Sequence, residues 1–239
     1  MMGRLHLNPV TLRKIRRFRS IRRGFWSFVI IFSLIIFSFC AELFINSRAL
    51  VVQYQGEWYF PTYGDMIPGS RFGLDYRYET DYRKLKQLFA QEDKGNFVIL
   101  PPVPYNAFEN DLRLNQYPPF PPSAADRHFL GTDNVGRDIL ARLVYGFRTA
   151  ILFSFFLLLI NYTIGIFIGC AMGYFGGRFD LFFQRIIEIW SNIPFLYVII
   201  IVSSILVPSF MILLLIMAFF GWISITWVMR TMTYKEKER

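Results

Sequence analysis

The sequence predicts an all-α integral membrane protein with a small α+β or irregular insert after its first span. Composition gives the first reason. Of 239 residues, 54% are apolar, 19% are aromatic and only 18% are charged, a more apolar balance than ordinary soluble domains carry. Length gives the second: Phe25 to Phe44, Ala150 to Gly173, Phe182 to Val207 and Phe210 to Met229 each reach the roughly 20 residues that cross about 30 Å of hydrocarbon. The third is that the net charge of +9 gathers at the ends of these runs. A membrane barrel would instead show alternating segments broken by turns about every 10 residues.

Residues 1–24 form a basic N-terminus, with Arg4, Arg13, Lys14, Arg16, Arg17, Arg19, Arg22 and Arg23 and no acidic residue. Basic residues beside a first span hold their side in the cytoplasm. With four spans, the tail 230–239, which carries Arg230, Lys235, Lys237 and Arg239, returns to that side. The first span, 25–45, is expected to remain as an anchor, because its apolar core exceeds the about 7–15 residues of a signal peptide and no small-residue cleavage site follows. Cys40 and Cys170 lie inside apolar runs and suggest no disulfide framework.

The segment 46–130 would then face outward. Residues 46–148 balance twelve basic against twelve acidic residues, so this region adds nothing to the net charge. Thr80-Asp81 is expected to cap a short helix with Tyr82, Leu85, Leu88 and Phe89 on one face and Lys94-Gly95-Asn96 as its stop. Phe97 to Leu100 reads as a short strand. Seven of the twelve prolines fall between Pro101 and Pro122, which favours extended, semi-rigid chain over a sheet interior. The competing reading of the whole segment is an unstructured spacer.

Residues 131–148 read as an elbow helix at the membrane boundary. Ile139, Leu140, Leu143, Val144 and Phe147 recur at near-helical spacing, with Thr132 or Asp133 as acceptor at the helix start. Gly131 and Gly136 permit tight turns, and Asp133, Arg137 and Asp138 would form an ionic cluster. The alternative is a solvated surface that only sets spacing. In the membrane core, 149–229, Gly165, Gly169 and Gly173 put small residues on one helical face, where another helix could approach closely. Asn161, Arg185, Glu188, Asn192 and the helix-breaking Pro194 are candidates for a gate or pathway. Hydrogen bonding between helices is the competing role for the two asparagines.

Several functions lack the residues they need. The basic N-terminus is not interleaved with polar and aromatic groups on a folded domain, so nucleic-acid binding is not expected. His6 and His128 are the two histidines, which offers no paired metal ligands. Gly64 to Ser70 has glycines but no lysine for a phosphate, and no nucleophile elbow occurs. No catalytic, cofactor or metal site is expected.

The series Pro121-Pro122-Ser123, His128, Leu130-Gly131-Thr132-Asp133 and Gly136-Arg137-Asp138, followed by Gly176-Gly177, Asp180, Arg185, Glu188 and Pro194, resembles the permease subunits of peptide-importing ABC transporters. It is the branch that serves dipeptides, oligopeptides and nickel. The resemblance covers residues 121–239, and the long stretch Tyr54 to Tyr76 is similar to the Yej-type permeases. It implies a multi-pass subunit of a binding-protein-dependent importer that moves peptides or peptide-like antibiotics across the bacterial inner membrane. It also implies ATP bound by separate ATPase subunits, a periplasmic peptide-binding protein and a second, homologous permease as partners. The family has six spans, of which four are present, so residues 230–239 are expected to start a coupling segment in a C-terminally truncated chain. A membrane-anchored periplasmic receptor and a structural assembly factor are the alternatives.

Overall fold

The computed structural model describes residues 9–92, 95–113 and 116–238; Arg4, His6, Lys94 and Arg239 lie outside the described residues. Two compact units divide the chain between Arg148 and Thr149.

The first unit begins with helices α1 (Pro9–Ser20) and α2 (Arg22–Phe39), separated by a non-helical Ile21. Phe18 meets the rings of Phe25 and Phe28 edge-on across this break. α2 ends before the apolar run does, and a cause lies in the residues that follow. Ala41 and Ile45 are buried, and Ile45 pairs with Val103. Asn46 donates to the Val103 carbonyl and Val103 to that of Phe44, both at 3.0 Å. The backbone leaves the helix to make this extended pairing.

An antiparallel sheet follows in the order β2-β1-β3, formed by β1 (Val51–Tyr54), β2 (Glu57–Tyr59) and β3 (Phe97–Ile99). β1 and β2 make a hairpin absent from the sequence reading. Its turn, Gln55-Gly56, has φ of 51° and 85°, the positive pair that matches the twist of two-residue hairpins. Leu50 donates to the Ile99 carbonyl at 2.9 Å, so the chain enters and leaves the sheet at neighbouring residues. Helix α3 (Tyr82–Glu92) starts where expected: Asp81 Oδ1 accepts the N–H groups of Arg83 and Lys84 at 3.1 and 3.2 Å. It buries Tyr82, Leu85 and Phe89 in a core with Ala49, Val52, Phe72 and Val98. Each large side chain buried this way contributes about 1.5–3 kcal/mol. Leu88 was expected on that face but is 39% exposed, being about 100° round the helix from Phe89.

Helix α4 (Ile139–Phe175) begins in the first unit and ends in the second. This differs from the expected elbow helix 131–148 followed by a span. Residues 131–138 are non-helical, and the helix then runs without a break through Arg148, Thr149 and Ala150, where neither glycine nor proline interrupts it. Its start is pinned to the end of α2. Ser38 Oγ donates to the Val144 carbonyl, Tyr145 Oη to that of Ile45 at 2.8 Å, and Arg148 pairs with Glu42 at 2.5 Å.

The second unit adds α5 (Gly177–Ser191), α6 (Phe195–Ile205) and α7 (Phe210–Lys237). Ser209 Oγ caps α7 by accepting the Ile212 N–H at 3.3 Å. The expected single span from Phe182 to Val207 is a pair of helices bent by 69°. Pro194 is the cause, since it lacks an N–H and drives the preceding residue out of helical geometry. Among the described residues, α2, α4 and α7 are long and apolar enough to cross a membrane, which gives three candidate spans, or four if the bent pair counts as one. Met172, Ile187 and Trp222 form the buried centre of this unit.

Candidate functional site

The stretch that leads into α4 is organised around His128, whose ring is 1% exposed. Nδ1 stands 2.7 Å from Asp138 Oδ2, and Nε2 stands 3.2 Å from Asp111 Oδ2. Tyr105 stacks on the ring at 3.9 Å between centroids and donates its hydroxyl to the Asp126 carbonyl at 3.0 Å. Asp111 and Asp126 in turn bind Arg113, whose guanidinium lies over Phe120. Burial of a polar ring is tolerable when both of its nitrogens are met in this way.

Two glycines let the backbone fold tightly around the histidine. Gly131 has φ of 75°, and a Cβ there would fall 2.6 Å from the Phe120 carbonyl oxygen; at Gly136, φ is 89° and the Cβ would lie 2.7 Å from that of Asp111. Both positions demand glycine for conformation and for space. Thr132 Oγ1 accepts the Phe120 N–H at 2.8 Å, tying the proline-rich arm to the turn.

The expected cluster of Asp133, Arg137 and Asp138 divides in two. Asp133 accepts the N–H groups of Val135 and Arg137, each at 3.0 Å, and binds the Arg137 and Arg142 guanidiniums. The Arg137 backbone bond foremost, with those of Val135 and the Arg137 side chain, holds its carboxyl well below the usual carboxylate range. Asp138 belongs to His128 instead. Its Oδ1 accepts the Ala141 N–H at 2.7 Å, so Asp138 caps α4, the role that the sequence offered to Thr132 or Asp133. The reason is the helix start at Ile139, which places Asp138 at the cap.

In the second unit, Gly165, Gly169 and Gly173 lie against α7. A Cβ at Gly169 would come within 2.5 Å of the Thr226 carbonyl oxygen, and one at Gly165 or Gly173 within 2.8 and 2.6 Å of Ile225 and Thr233 Cβ. Asn161 packs on Gly221 of α7, with its Oδ1 buried and unpaired. Asn192 donates to the Glu188 carbonyl on its own helix at 2.7 Å. Arg185 and Glu188 form an exposed pair at 2.6 Å, and Pro194 occupies the bend. Buried Asp180 binds Arg230, with contacts of 2.5 and 2.6 Å to its two oxygens, a pairing that no sequence pattern announces. Tyr234 and Gln184 donate to the same carboxylate. The 50 positions between the partners hide this pair from local pattern, and Asp111 and Tyr105 were hidden for the same reason.

The second unit thus combines apolar helices, a proline-bent pair and a glycine face packed on α7, an arrangement consistent with a membrane permease. Residues 165–239 match the family of binding-protein-dependent transport system inner membrane components. Over 226 residues the chain is 39% identical to the inner membrane ABC transporter permease protein YejE of Escherichia coli, covering 94% of this chain and 64% of that one. It is 34% identical over 247 residues to the peptidoglycan transport system permease protein YejE of Agrobacterium fabrum, covering 93% and 64%. The dipeptide transport system permease protein DppC of Bacillus subtilis is 34% identical over 143 residues, 60% of this chain and 42% of its own length. The chain thus spans 64% of the length of both YejE proteins.

Proposed function

We propose that the chain is a permease subunit of a binding-protein-dependent ABC importer that carries peptides or peptide-like compounds across a bacterial inner membrane. The match of residues 165–239 to that transport family carries the reading, and the names of the E. coli, A. fabrum and B. subtilis relatives support it. In this reading residues 1–24 lie in the cytoplasm, held there by their arginines and lysine. Residues 46–130 form an outward insert on which a periplasmic binding protein docks, and a second, homologous permease completes the pathway. The chain binds no cofactor of its own. ATP is hydrolysed by separate ATPase subunits, which engage the cytoplasmic side where residues 230–239 emerge.

The bent pair α5–α6, with Asn192 and Pro194 at its break, is the proposed moving element, and Asn161 faces the packed interior. Disruption of the gene and complementation test the reading through uptake of a labelled peptide by whole cells. Uptake should fall with the gene disrupted and return when it is restored. A tagged chain purified from its native membrane should bring an ATPase subunit and a second permease with it. Unchanged uptake together with neither partner recovered would defeat the proposal in favour of an assembly role.

A further inference from the structure

Helix α1 carries Arg13, Lys14, Arg16, Arg17 and Arg19, all exposed, and the exposed Arg22 and Arg23 open α2 beside it. No carboxylate of the surrounding chain answers this charge. The sequence has no acidic residue before Glu42, and Glu42 is held by Arg148. The same helix leaves Leu12 and Phe18 each 41% exposed. At about 100° per residue, these two share one half of the cylinder, Lys14 and Arg16 flank that half, and Arg13 and Arg17 stand opposite it. Val10 and Arg19, near the two ends, depart from this division. An arginine on the apolar half can lay its stem along apolar surface and keep its head outside.

The joint between α1 and α2 decides which way the apolar half faces. Ile21 leaves helical geometry, with ψ of 80°. In one unbroken helix residues 18 and 28 would lie about 15 Å apart along the axis, yet the ring centroids of Phe18 and Phe28 are 5.7 Å apart. α1 is therefore folded towards α2, with Phe18 on the inside of the bend. This is the side on which α2, long and apolar enough to cross a membrane, enters hydrocarbon. Trp26, 61% exposed near the start of α2, is the kind of ring that marks the headgroup level.

We propose that α1 is an in-plane anchor for anionic phospholipids, with its basic residues on the headgroup phosphates and its apolar half at the acyl boundary. A basic amphipathic helix binds such a surface through buried apolar area and attraction to anionic lipid together. Guanidiniums suit phosphate oxygens in particular, because their fork donates two parallel hydrogen bonds. A nucleic acid would engage the cations and leave Leu12 and Phe18 in water. An acidic protein would have to displace the bilayer that surrounds α2. The inference rests on α2 crossing the membrane. It depends neither on what is transported nor on the side where the N-terminus lies, so it can fail or stand apart from the transport reading.

The test follows α1 in the full chain, reconstituted into lipid nanodiscs with an environment-sensitive NBD dye on Thr11→Cys and with Cys40→Ala and Cys170→Ala. By helical register Thr11 lies on the apolar half. In discs of mixed phosphatidylcholine and phosphatidylglycerol, the dye should emit further to the blue and be quenched by nitroxide-labelled lipid. In pure phosphatidylcholine, or in the mixed discs at high salt, the quenched fraction should fall about threefold or more, as a screened surface charge requires. Inorganic phosphate or glycerophosphoglycerol added to neutral discs should not restore it, which assigns the site to a lipid surface. Arg13→Gln, Lys14→Gln, Arg16→Gln and Arg17→Gln together should abolish the dependence on lipid charge, with Arg22 and Arg23 left in place beside α2. Arg13→Lys, Arg16→Lys and Arg17→Lys together should retain it, which a folding defect would not. Equal quenching in neutral and anionic discs, or a dye in water in both, overturns the proposal without any charge variant. A blue shift driven by soluble phosphate, or by polyglutamate in place of anionic lipid, overturns it too.

Discussion

Asp138 serves two partners with its two oxygens, the Ala141 N–H and the His128 ring. Its replacement by alanine removes a helix cap, worth about 1 kcal/mol, and strips a buried polar ring of a partner, worth about 1–3 kcal/mol. Asp138→Ala should therefore lower stability by about 2–4 kcal/mol in chemical denaturation of the detergent-solubilised chain. Asp111→Ala should cost less, because its side chain is 21% exposed and water can replace it. Asp133 makes a pH prediction. Its folded carboxyl is held below the ordinary value of about 3.9, so its contribution is complete above about pH 4 and drains away as the pH falls beneath it. Asp133→Asn should flatten the acid limb of a stability profile relative to the parent. Backbone acceptors such as the Gly136 carbonyl, which receives the Asp111 N–H, were beyond reach of sequence reasoning, since no side chain announces them.

Among the helices, the contrast between two glycines on α4 is instructive. A Cβ at Gly146 meets nothing within 4 Å, whereas one at Gly169 strikes the α7 backbone. Gly146→Ala should be neutral or gain up to about 1 kcal/mol from helix propensity. Gly169→Ala should cost about 1–3 kcal/mol by overpacking and shift a cross-link between cysteines placed on α4 and α7. Pro194→Ala restores a missing donor at the α5–α6 break. Spin labels at Gln184 and Ser203 should then report a longer and narrower distance distribution as the two helices straighten; an unchanged distribution would show that the bend does not depend on proline. The helices were legible because apolar length and Gly/Pro punctuation are local. The β1–β2 hairpin was not, because Gln55-Gly56 is a weaker signal than Asn-Gly and the strands are only four and three residues long. The start of α4 was misplaced because Thr132, Asp133 and Asp138 can all act as caps, and the choice among them is made by His128, a non-local partner.

For the whole molecule, the composition, span lengths and family spacing were visible from the residues alone. The pairings that fix the first unit were not, since they join positions such as 38 with 144 and 42 with 148. The hydrogen bond between Leu50 and Ile99 brings together the two ends of residues 51–98, which also reach the rest of the unit through Arg83 on Glu109 and Tyr105 and through Glu79 on Arg48. Excision of those residues, with a two-residue turn in their place, should leave membrane insertion intact, as read by protease protection, and should shift the His128 ring signals, because it removes the Arg83 guanidinium from the Tyr105 ring that stacks on His128. Loss of insertion would show that the sheet is needed for the helices to assemble. Closing a loop costs little more when the loop is long, so the paired ends at Leu50 and Ile99 can carry connecting segments of very different length.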